Sequence, residues 1–284
     1  MDEKVSHDPV EHSDSARKKQ LSFYDDCDSD FEISRPHNCG RLYEFMIEHK
    51  FHTALRLLNF EIGGRSLLEV CCGSGMMAEK FANVGALVTG LDLSFAAVAR
   101  ARERAARNGF DAHFVAGDAE HLAFIDHSFD VVAVHDGLHH VTNPERAINE
   151  MARVARCGVL ILEPARAALT RLAVWAGIAV DVEDAGNEVK RMVPARTAAI
   201  LRSHGYHELR WERTLMYYPH HPSRWFRRLD HPLLFEPCRF LFRAVNLGFG
   251  RWGNKLALSA TSRAPISNSR PPNAMHSVRT MTSG

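Results

Sequence analysis

The chain has 284 residues, a formal net charge of +1 and 24% charged side chains of both signs. This length is enough for one large domain with its own core, and the near-zero charge excludes the overall basic field that recruits nucleic acid. The six cysteines show no Cys-x-x-Cys pair and the seventeen histidines no recognised ligand spacing. We therefore expect reduced thiols, a cytoplasmic location and no metal.

Both ends of the chain are predicted to lie outside the folded domain. Residues 1–20 are polar and charged, with no apolar segment of the kind found in secretory signals. From about residue 261 to 284 the chain is rich in Ser, Pro, Asn and Arg, which predicts a disordered tail. We therefore expect one domain over residues 21–260.

The first predicted element is a helix over about residues 40–58, where apolar side chains recur at helical spacing. An apolar strand at Leu67–Val70 then leads into a turn and a helix-forming segment. Gly73 and Gly75 in this turn have no Cβ, so the backbone can approach a ligand closely. The helix beyond the turn presents unpaired N–H groups and the positive end of its dipole.

A second apolar strand ends at Asp92, roughly 20 residues past the turn, where an acid holds the hydroxyl pair of a ribose. Ser94 is predicted to cap the next helix, which ends at Asn108-Gly109. The turn and Asp92 also fit a dinucleotide-binding site, because Gly73-x-Gly75-x-x-Ala78 matches the permissive dinucleotide fingerprint. At this point the motifs do not decide whether the ligand is a dinucleotide or another nucleotide-like molecule.

Three later segments separate the alternatives. They are a short strand running into Gly117-Asp118-Ala119-Glu120, the run from Ser128 to His140, and the strand Val159–Pro164. Between the last two, Pro144 begins a helix that is predicted to continue to about residue 156. Strands that alternate with helices predict an α/β fold with a parallel, doubly wound sheet.

In this order, the motifs over about residues 64–165 resemble the class I S-adenosylmethionine-dependent methyltransferase family. The resemblance implies a Rossmann-like, mainly parallel seven-stranded sheet with helices on both faces and a helical substrate cap. It places a cofactor-binding core at about 64–165 and cap elements at about 21–60 and 165–250. It also implies S-adenosylmethionine as the cofactor and S-adenosylhomocysteine as the product.

The resemblance further implies a set of cofactor-binding residues. Matched to the family motifs, these are Glu69, Cys71, Gly73, Gly75, Asp92, Leu93, Asp118, Ala119 and His135. Glu69 corresponds to the acid near the methionine ammonium, and Asp92 to the acid on the ribose hydroxyls. Leu93 would pack beside the adenine, and Asp118 would read its amino edge with the Ala119 backbone. His135 would lie under the sulfonium.

Two departures from the family pattern affect local geometry. Cys71 replaces the usual first glycine of the turn, so we expect this position to avoid glycine-only dihedral angles. The Pro-Gly-Gly turn common before the fifth strand is replaced by Arg156-Cys157-Gly158, which predicts a shorter connection.

Candidate catalytic residues lie at the carboxyl ends of the fourth and fifth strands. His140 is our candidate for a general base, and Glu163 for a group that orients or deprotonates the acceptor. The alternatives are a packing role for His140 and a hydrogen-bonded structural role for Glu163. The segment 23–26 resembles a lid that folds over the cofactor and would use Tyr24 and Arg35, although a loosely packed helical turn fits equally.

The region after Glu163 holds the clues to the acceptor. Residues 167–180 are predicted to form a helix over the site, and segments 223–228 and 235–243 interleave aromatic and basic residues. Such interleaving is typical of packing with arginine stems over apolar surface, of a membrane-surface helix, of an apolar pocket with an anionic group, or of nucleic-acid binding. We favour a small hydrophobic or lipid-like acceptor, leave peripheral membrane contact through 223–243 open, and expect no nucleic acid.

The leading interpretation is methyl transfer to that small molecule by in-line displacement at the sulfonium methyl. A nicotinamide-dependent oxidoreductase is the rival enzyme, although it gives Gly117–Glu120 and the fourth strand no assigned part. A non-catalytic scaffold that retains the fold is the third possibility. The acids Glu69, Asp92 and Asp118 argue against it, because a site without a ligand has no physical need for carboxylates at strand ends.

Overall fold

A seven-stranded sheet forms the centre of the computed structural model, which describes residues 18, 21, 22, 24–26, 40–167, 191–216 and 224–262. The strands are β1 Ser66–Val70, β2 Leu87–Asp92, β3 Ala112–Ala116, β4 Phe129–His135, β5 Ala155–Pro164, β6 Tyr206–Thr214 and β7 Lys255–Ser262. Their order is β3-β2-β1-β4-β5-β7-β6, and only β7 runs antiparallel to its neighbours. The predicted α/β fold with a mainly parallel seven-stranded sheet is confirmed.

Helices cover both faces of this sheet. The α-helices of the described ranges are α1 Arg41–Leu58, α2 Met76–Asn83, α3 Phe95–Asn108, α4 Pro144–Val154, α5 Pro194–Ser203, α6 Arg224–Arg227 and α7 Pro232–Phe249, of which α6 and α7 pack beside α1. One buried cluster joins α1, α2 and α3 to the sheet, and a second joins α4 and α5 to the opposite face. This double covering explains why β4 and β5 are almost entirely buried and read as continuous apolar runs.

The helix ends follow the predicted capping residues. The Ser94 hydroxyl accepts the Ala97 N–H at 3.0 Å, and Gly109 ends α3 in the left-handed conformation. Pro144 occupies the first turn of α4, directly after Asn143, whose side chain caps the helix. These caps fix where α3 and α4 begin, and therefore where the loops before them lie.

Three boundaries differ from the sequence-based expectations. The connection before β5 is absent, because α4 ends at Val154 and the strand begins at Ala155. Part of the expected cap at 165–250 belongs to the sheet, since α5 packs on it and β6 pairs with β7. Strand β6 was missed because half-exposed charged residues hide its alternation. Strand β7 continues to Ser262, beyond the predicted start of the tail.

Several predictions fall outside the described residues. These are the disorder at 1–20, apart from residue 18, and after 262, Arg35 of the lid, and the helix over 168–180. Within the described ranges, none of the helices has the length and apolar character needed to cross a bilayer.

Candidate functional site

The turn after β1 is built from left-handed backbone. Cys71, Gly73 and Gly75 have φ angles of 54°, 52° and 80°. The expectation for Cys71 is therefore wrong, because this residue adopts the region that favours glycine, at a cost of about 1–2 kcal/mol. Tight packing maintains the strain: a Cβ on Gly137 would collide with the Cys71 side chain. Gly75 precedes α2, so the N–H groups of this helix end face the turn.

The Asp92 carboxylate joins this turn to the end of β2. Its Oδ2 accepts the Gly73 N–H at 2.8 Å, and its Oδ1 accepts the Ser94 N–H at 3.0 Å. Burial raises the pKa of Asp92, although these backbone bonds oppose the shift. The predicted ribose-binding acid is thus fixed in place by its own neighbours and has lone pairs left for a ligand. Leu93 follows it, partly buried.

Glu69 carries a carboxylate oxygen that lacks a donor. The residue is 2% exposed, and a backbone bond from Ala78 reaches its side chain. Its Oε2 has no hydrogen-bond partner among the described residues. Burial, reinforced by the nearby Asp92, raises the pKa of Glu69 well above its usual range. An unpaired buried acceptor is costly, and a ligand ammonium would supply the missing donor.

Asp118 completes a row of acids at the carboxyl ends of β1, β2 and β3. Its Oδ1 accepts the Glu120 N–H at 2.9 Å, and its Oδ2 lies 3.2 Å from the His121 ring nitrogen Nδ1. Ala119 beside it is buried. The predicted cofactor residues of these strands are therefore brought to one edge of the sheet, where open α/β sheets bind nucleotide-like ligands.

Glu163 holds the loop after β4. It is fully buried, and its Oε1 accepts the N–H groups of Gly137 and Leu138, both at 2.7 Å. Its Oε2 lies 2.7 Å from His139 Nδ1, which donates to it. Both oxygens are engaged by the loop, so the geometry favours the structural alternative for Glu163 over contact with an acceptor.

His140 extends this chain of contacts toward the N-terminal segment. Its ring centroid lies 4.0 Å from that of His139, and its Nε2 lies 3.4 Å from the Tyr24 hydroxyl. The backbone oxygen of Tyr24 accepts a bond from Arg100 at 2.7 Å, and Asp25 meets the Ser94 hydroxyl at 2.5 Å. Tyr24 and Asp25 therefore contact the loop after β4 and the start of α3, and the lid stays a prediction.

An ionic cluster that sequence reasoning missed lies beside the end of β4. The two oxygens of Asp136 meet Lys50 Nζ at 2.5 Å and Lys255 Nζ at 3.2 Å. Burial would raise the pKa of Asp136, but Lys255 and Lys50 outweigh it and hold that pKa well below its usual range. Burial lowers the pKa of Lys50 to about 8, although Asp136 opposes this shift. The cluster thus pairs a firmly ionised acid with a lysine whose pKa is about 8.

His135, predicted to lie under the sulfonium, is the last residue of β4 and faces this cluster. Its Nε2 lies 3.5 Å from Asp136 Oδ2 and forms no hydrogen bond within the described part of the chain. Burial, with a contribution from Lys50, lowers the pKa of His135 to about 3. The ring is therefore neutral at physiological pH and able to donate or accept one further hydrogen bond.

The sequence contained a partial signal for this cluster. Lys50 interrupts the apolar face of α1, between Met46 and Ala54 at helical spacing, and Asp136 directly follows a strand. A buried lysine at such a position calls for an acidic partner. Lys255 offered no signal, because the strand it begins was not predicted.

An apolar cavity of about 240 Å³ lies between α1 and α7. Its walls include Leu42, Met46, Phe226, Leu241, Phe242 and Val245. Over the described ranges, no group of three or more His, Cys, Asp or Glu side chains is arranged to hold a metal ion. The groups at this edge of the sheet are thus carboxylates, histidines and lysines beside an apolar space.

Comparison with known proteins shows that part of this chain is similar in sequence to methyltransferases. A family model described as a methyltransferase domain matches residues 68–162. The demethylmenaquinone methyltransferase of Renibacterium salmoninarum is 37% identical over 34% of this chain and 39% of its own length. The ubiquinone biosynthesis O-methyltransferase of Citrobacter koseri is 35% identical over 34% of this chain and 40% of its own. The matches thus span about two-fifths of these relatives.

Among solved structures, the YcgJ protein of Bacillus subtilis has a similar fold. The TM-score is 0.54 at 18% identity, over 76% of this chain and 99% of the other. At this identity the likeness concerns the fold alone.

Proposed function

We propose that this chain is a class I S-adenosylmethionine-dependent methyltransferase that methylates a small hydrophobic, lipid-like acceptor; residues 68–162, which match a methyltransferase domain, would form its cofactor-binding core. The observation that carries the proposal is the row of three acids at the ends of β1, β2 and β3, beside a left-handed glycine turn. A nicotinamide-dependent enzyme would need the turn and Asp92 but gives Glu69 and Asp118 no part. The family match therefore favours methyl transfer over both earlier alternatives.

The residues present suit this cofactor. Glu69, with its unpaired buried oxygen, would bind the methionine ammonium, and Asp92 would bind the ribose hydroxyls. Asp118 and the Ala119 backbone would hold the adenine edge. When bound, S-adenosylmethionine supplies a methyl group on a sulfonium that is already activated for displacement. The protein then has to position the acceptor and exclude water, for which residues 24–26 lie across the site.

We assign His140 as the general base that removes a proton from the methyl-accepting substrate. Its ring packs against His139, which Glu163 fixes through the Nδ1 hydrogen bond. This arrangement orients an imidazole at the rim of the sheet, and general bases of this kind contribute about 10²- to 10⁴-fold to rate. Glu163 acts through the loop, so we regard it as a positioning residue. The Tyr24 hydroxyl would share a hydrogen bond with His140 when the segment is closed.

One face of α1 supports a hydrophobic acceptor. Leu42, Met46 and Lys50 follow one another at spacings of four, so they lie on the same side of the helix. Leu42 and Met46 line the apolar cavity, and Lys50 reaches Asp136 at the end of β4, about 6 Å further along the axis than Met46. An acceptor with an apolar tail in the cavity and a polar ring near the ionic cluster fits this sequence of groups. The names of the two relatives, which concern quinone compounds, agree with such a molecule.

A transfer assay with labelled S-adenosylmethionine tests the proposal. The acceptors are a prenylated hydroquinone and the same ring without its tail, and we expect the tailed compound to be methylated with the higher kcat/KM. Met46→Glu places a charge in the cavity and should erase that preference, whereas Ile125→Glu, at an exposed position elsewhere, should preserve it. Equal rates for both acceptors would contradict the lipid-like acceptor. Binding of S-adenosylhomocysteine without transfer to any acceptor would instead favour the scaffold.

A further inference from the structure

Helix α7 exposes an apolar stripe to solvent. Leu233, Phe240 and Leu247 are 77%, 75% and 92% exposed, and none of the 18 residues of this helix is buried. Residues seven apart differ by only about 20° around a helix, so these three side chains form one line. Leu234 and Leu241 widen it on one side. Contiguous apolar surface of this kind marks a contact with another molecule or a membrane.

The opposite side of α7 is anchored, so the stripe cannot simply turn inward. Phe242 packs edge to face on Phe45 of α1 with ring centroids 5.3 Å apart. The Asn246 side chain accepts the Leu215 N–H at 2.7 Å and donates to the Leu215 oxygen at 3.1 Å. These contacts hold one face of the helix on the protein and fix the outward direction of the other.

Positive charge surrounds the stripe. Residues 224–252 contain six arginines and two acids, whereas the whole chain carries a net charge of only +1. Both acids have partners within the protein, since Asp230 accepts the Leu42 N–H at 2.9 Å and Glu236 lies 3.3 Å from Arg239. Six arginines against two acids leave this segment with a local excess of positive charge.

Tryptophan–arginine pairs lie at both ends of the helix. Arg228 stacks over Trp225 and Arg251 over Trp252, each with the guanidinium carbon 3.9 Å from the ring centroid. Both indoles are exposed. Tryptophan and arginine at the edges of an apolar stripe are typical of helices that lie in the headgroup layer of a membrane.

We propose that the surface formed by residues 224–252 docks on an anionic lipid bilayer. The apolar stripe enters the boundary between headgroups and acyl chains, and the arginines contact lipid phosphates. Charge favours this occupant over a second copy of the chain, because two copies facing each other would bring their arginines together. Because the stripe lies along the outer face of a helix whose other face is held on the protein, the contact that we propose is peripheral. This inference does not depend on the proposed methyl transfer.

Vesicle flotation of the full chain tests the proposal. We expect binding to vesicles of phosphatidylcholine with phosphatidylglycerol, weaker binding at high salt, and little binding to phosphatidylcholine alone. Phe240→Glu with Leu247→Glu should abolish flotation, whereas Ile125→Glu, an equally exposed apolar position far along the chain, should leave it unchanged. Arg243→Gln should lower the partition coefficient about fivefold, and Arg202→Gln in α5 should not change it.

Two further measurements keep the outcome unambiguous. Circular dichroism and S-adenosylhomocysteine affinity, both expected to be unchanged, establish that the stripe variants are folded. Light scattering reports the oligomeric state of wild type and the double variant. Failure of the wild type to float with anionic vesicles, or a wild-type dimer that the double variant dissociates, would overturn the proposal.

Discussion

The two halves of the sheet are built in different ways. At the β3-β2-β1 half, the acids are held by backbone groups of turns close to them, as when Gly73 and Ser94 both donate to Asp92. At the β4-β5-β7-β6 half, the polar groups are paired across the fold, as when Asp136 after β4 meets Lys50 and Lys255. Short sequence motifs encode the first arrangement. The second arises only when distant parts of the chain come together.

This difference agrees with the proposal that one half of the sheet binds the cofactor and the other half binds the methyl acceptor. A cofactor common to a family needs the same contacts in every member, and local motifs supply them. An acceptor particular to one enzyme is recognised by the side chains that surround it, here on α1, β7 and the loop after β4. Function therefore depends on sites that the fold carries rather than on the fold itself. Variants in one half should leave the other half largely intact.

The largest expected effect is on stability, from Glu163→Ala in the acceptor half. This change leaves two backbone N–H groups and His139 without their buried acceptor. We expect the free energy of unfolding to fall by about 3–5 kcal/mol, measured by chemical denaturation. Glu212→Ala is the control, because its pair with Arg56 is exposed and should contribute less than about 1 kcal/mol. Equal losses for the two variants would mean that Glu163 does not hold the loop.

The next effect is on turnover, from His140→Ala. Removing the assigned base should lower kcat by about 100-fold or more with an acceptor that must lose a proton. Calorimetric affinity for S-adenosylhomocysteine should stay within about twofold, since the contacts of the ring lie on the acceptor side. His204→Ala removes a surface histidine of the other face and is the matched control. Wild-type turnover in the His140 variant would leave this residue with a packing role only.

The third effect is on cofactor affinity and comes from a variant in the β3-β2-β1 half of the sheet. Asp92→Ala should weaken S-adenosylhomocysteine binding by about 1.5–3 kcal/mol through loss of charge-assisted hydrogen bonds. Because Asp92 also secures the Gly73 turn, Asp92→Asn is measured beside it, with thermal unfolding to confirm that both fold. The exposed Asp111→Ala serves as the control. Unchanged affinity in a folded Asp92→Ala variant would refute this assignment.

The smallest effect over a single pH unit is the pH dependence of the ionic cluster. Lys50 releases its proton near pH 8 in the folded protein but near 10.5 when unfolded, so between these values the unfolded state binds more protons. The contribution of Lys50 to stability therefore rises from pH 8 to 10.5, by up to about 1.4 kcal/mol per pH unit, and is lost as pH falls through 8.

The difference in unfolding free energy between wild type and Lys50→Met isolates this slope, because the contributions of the other titrating groups are the same in both proteins and cancel. Denaturation at several pH values measures it. Lys80→Met removes a lysine that pairs with Glu48 on the same side of the sheet, and it controls for the loss of a lysine. A wild-type and Lys50→Met difference that does not change with pH would show that the Lys50 ammonium is not desolvated.

The comparison also explains what the sequence could predict. The strands from β1 to β5, the caps at Ser94 and Pro144 and the three strand-end acids depend on local periodicity and short motifs, which are legible in one sequence. Strands β6 and β7 were missed, because an edge strand and its antiparallel neighbour are defined by pairing across the fold.

The candidate site shows the same limit. Both lysines that pair with Asp136 are far from it in sequence, and no spacing rule connects Lys50 to a residue beyond 250. The strain at Cys71 was also unforeseen, since it depends on packing against Gly137 rather than on the residue itself.

Thermal unfolding with S-adenosylhomocysteine, S-adenosylmethionine and NADH, each added separately, tests the central claim most directly. A ligand that binds only the folded state raises the midpoint, because it stabilises that state by a free energy that grows with the logarithm of its concentration over Kd and reaches about 2.7 kcal/mol at 100 times Kd. We predict a rise with both sulfur compounds and none with NADH. A rise with NADH alone would contradict the cofactor assignment and with it the proposed methyl transfer.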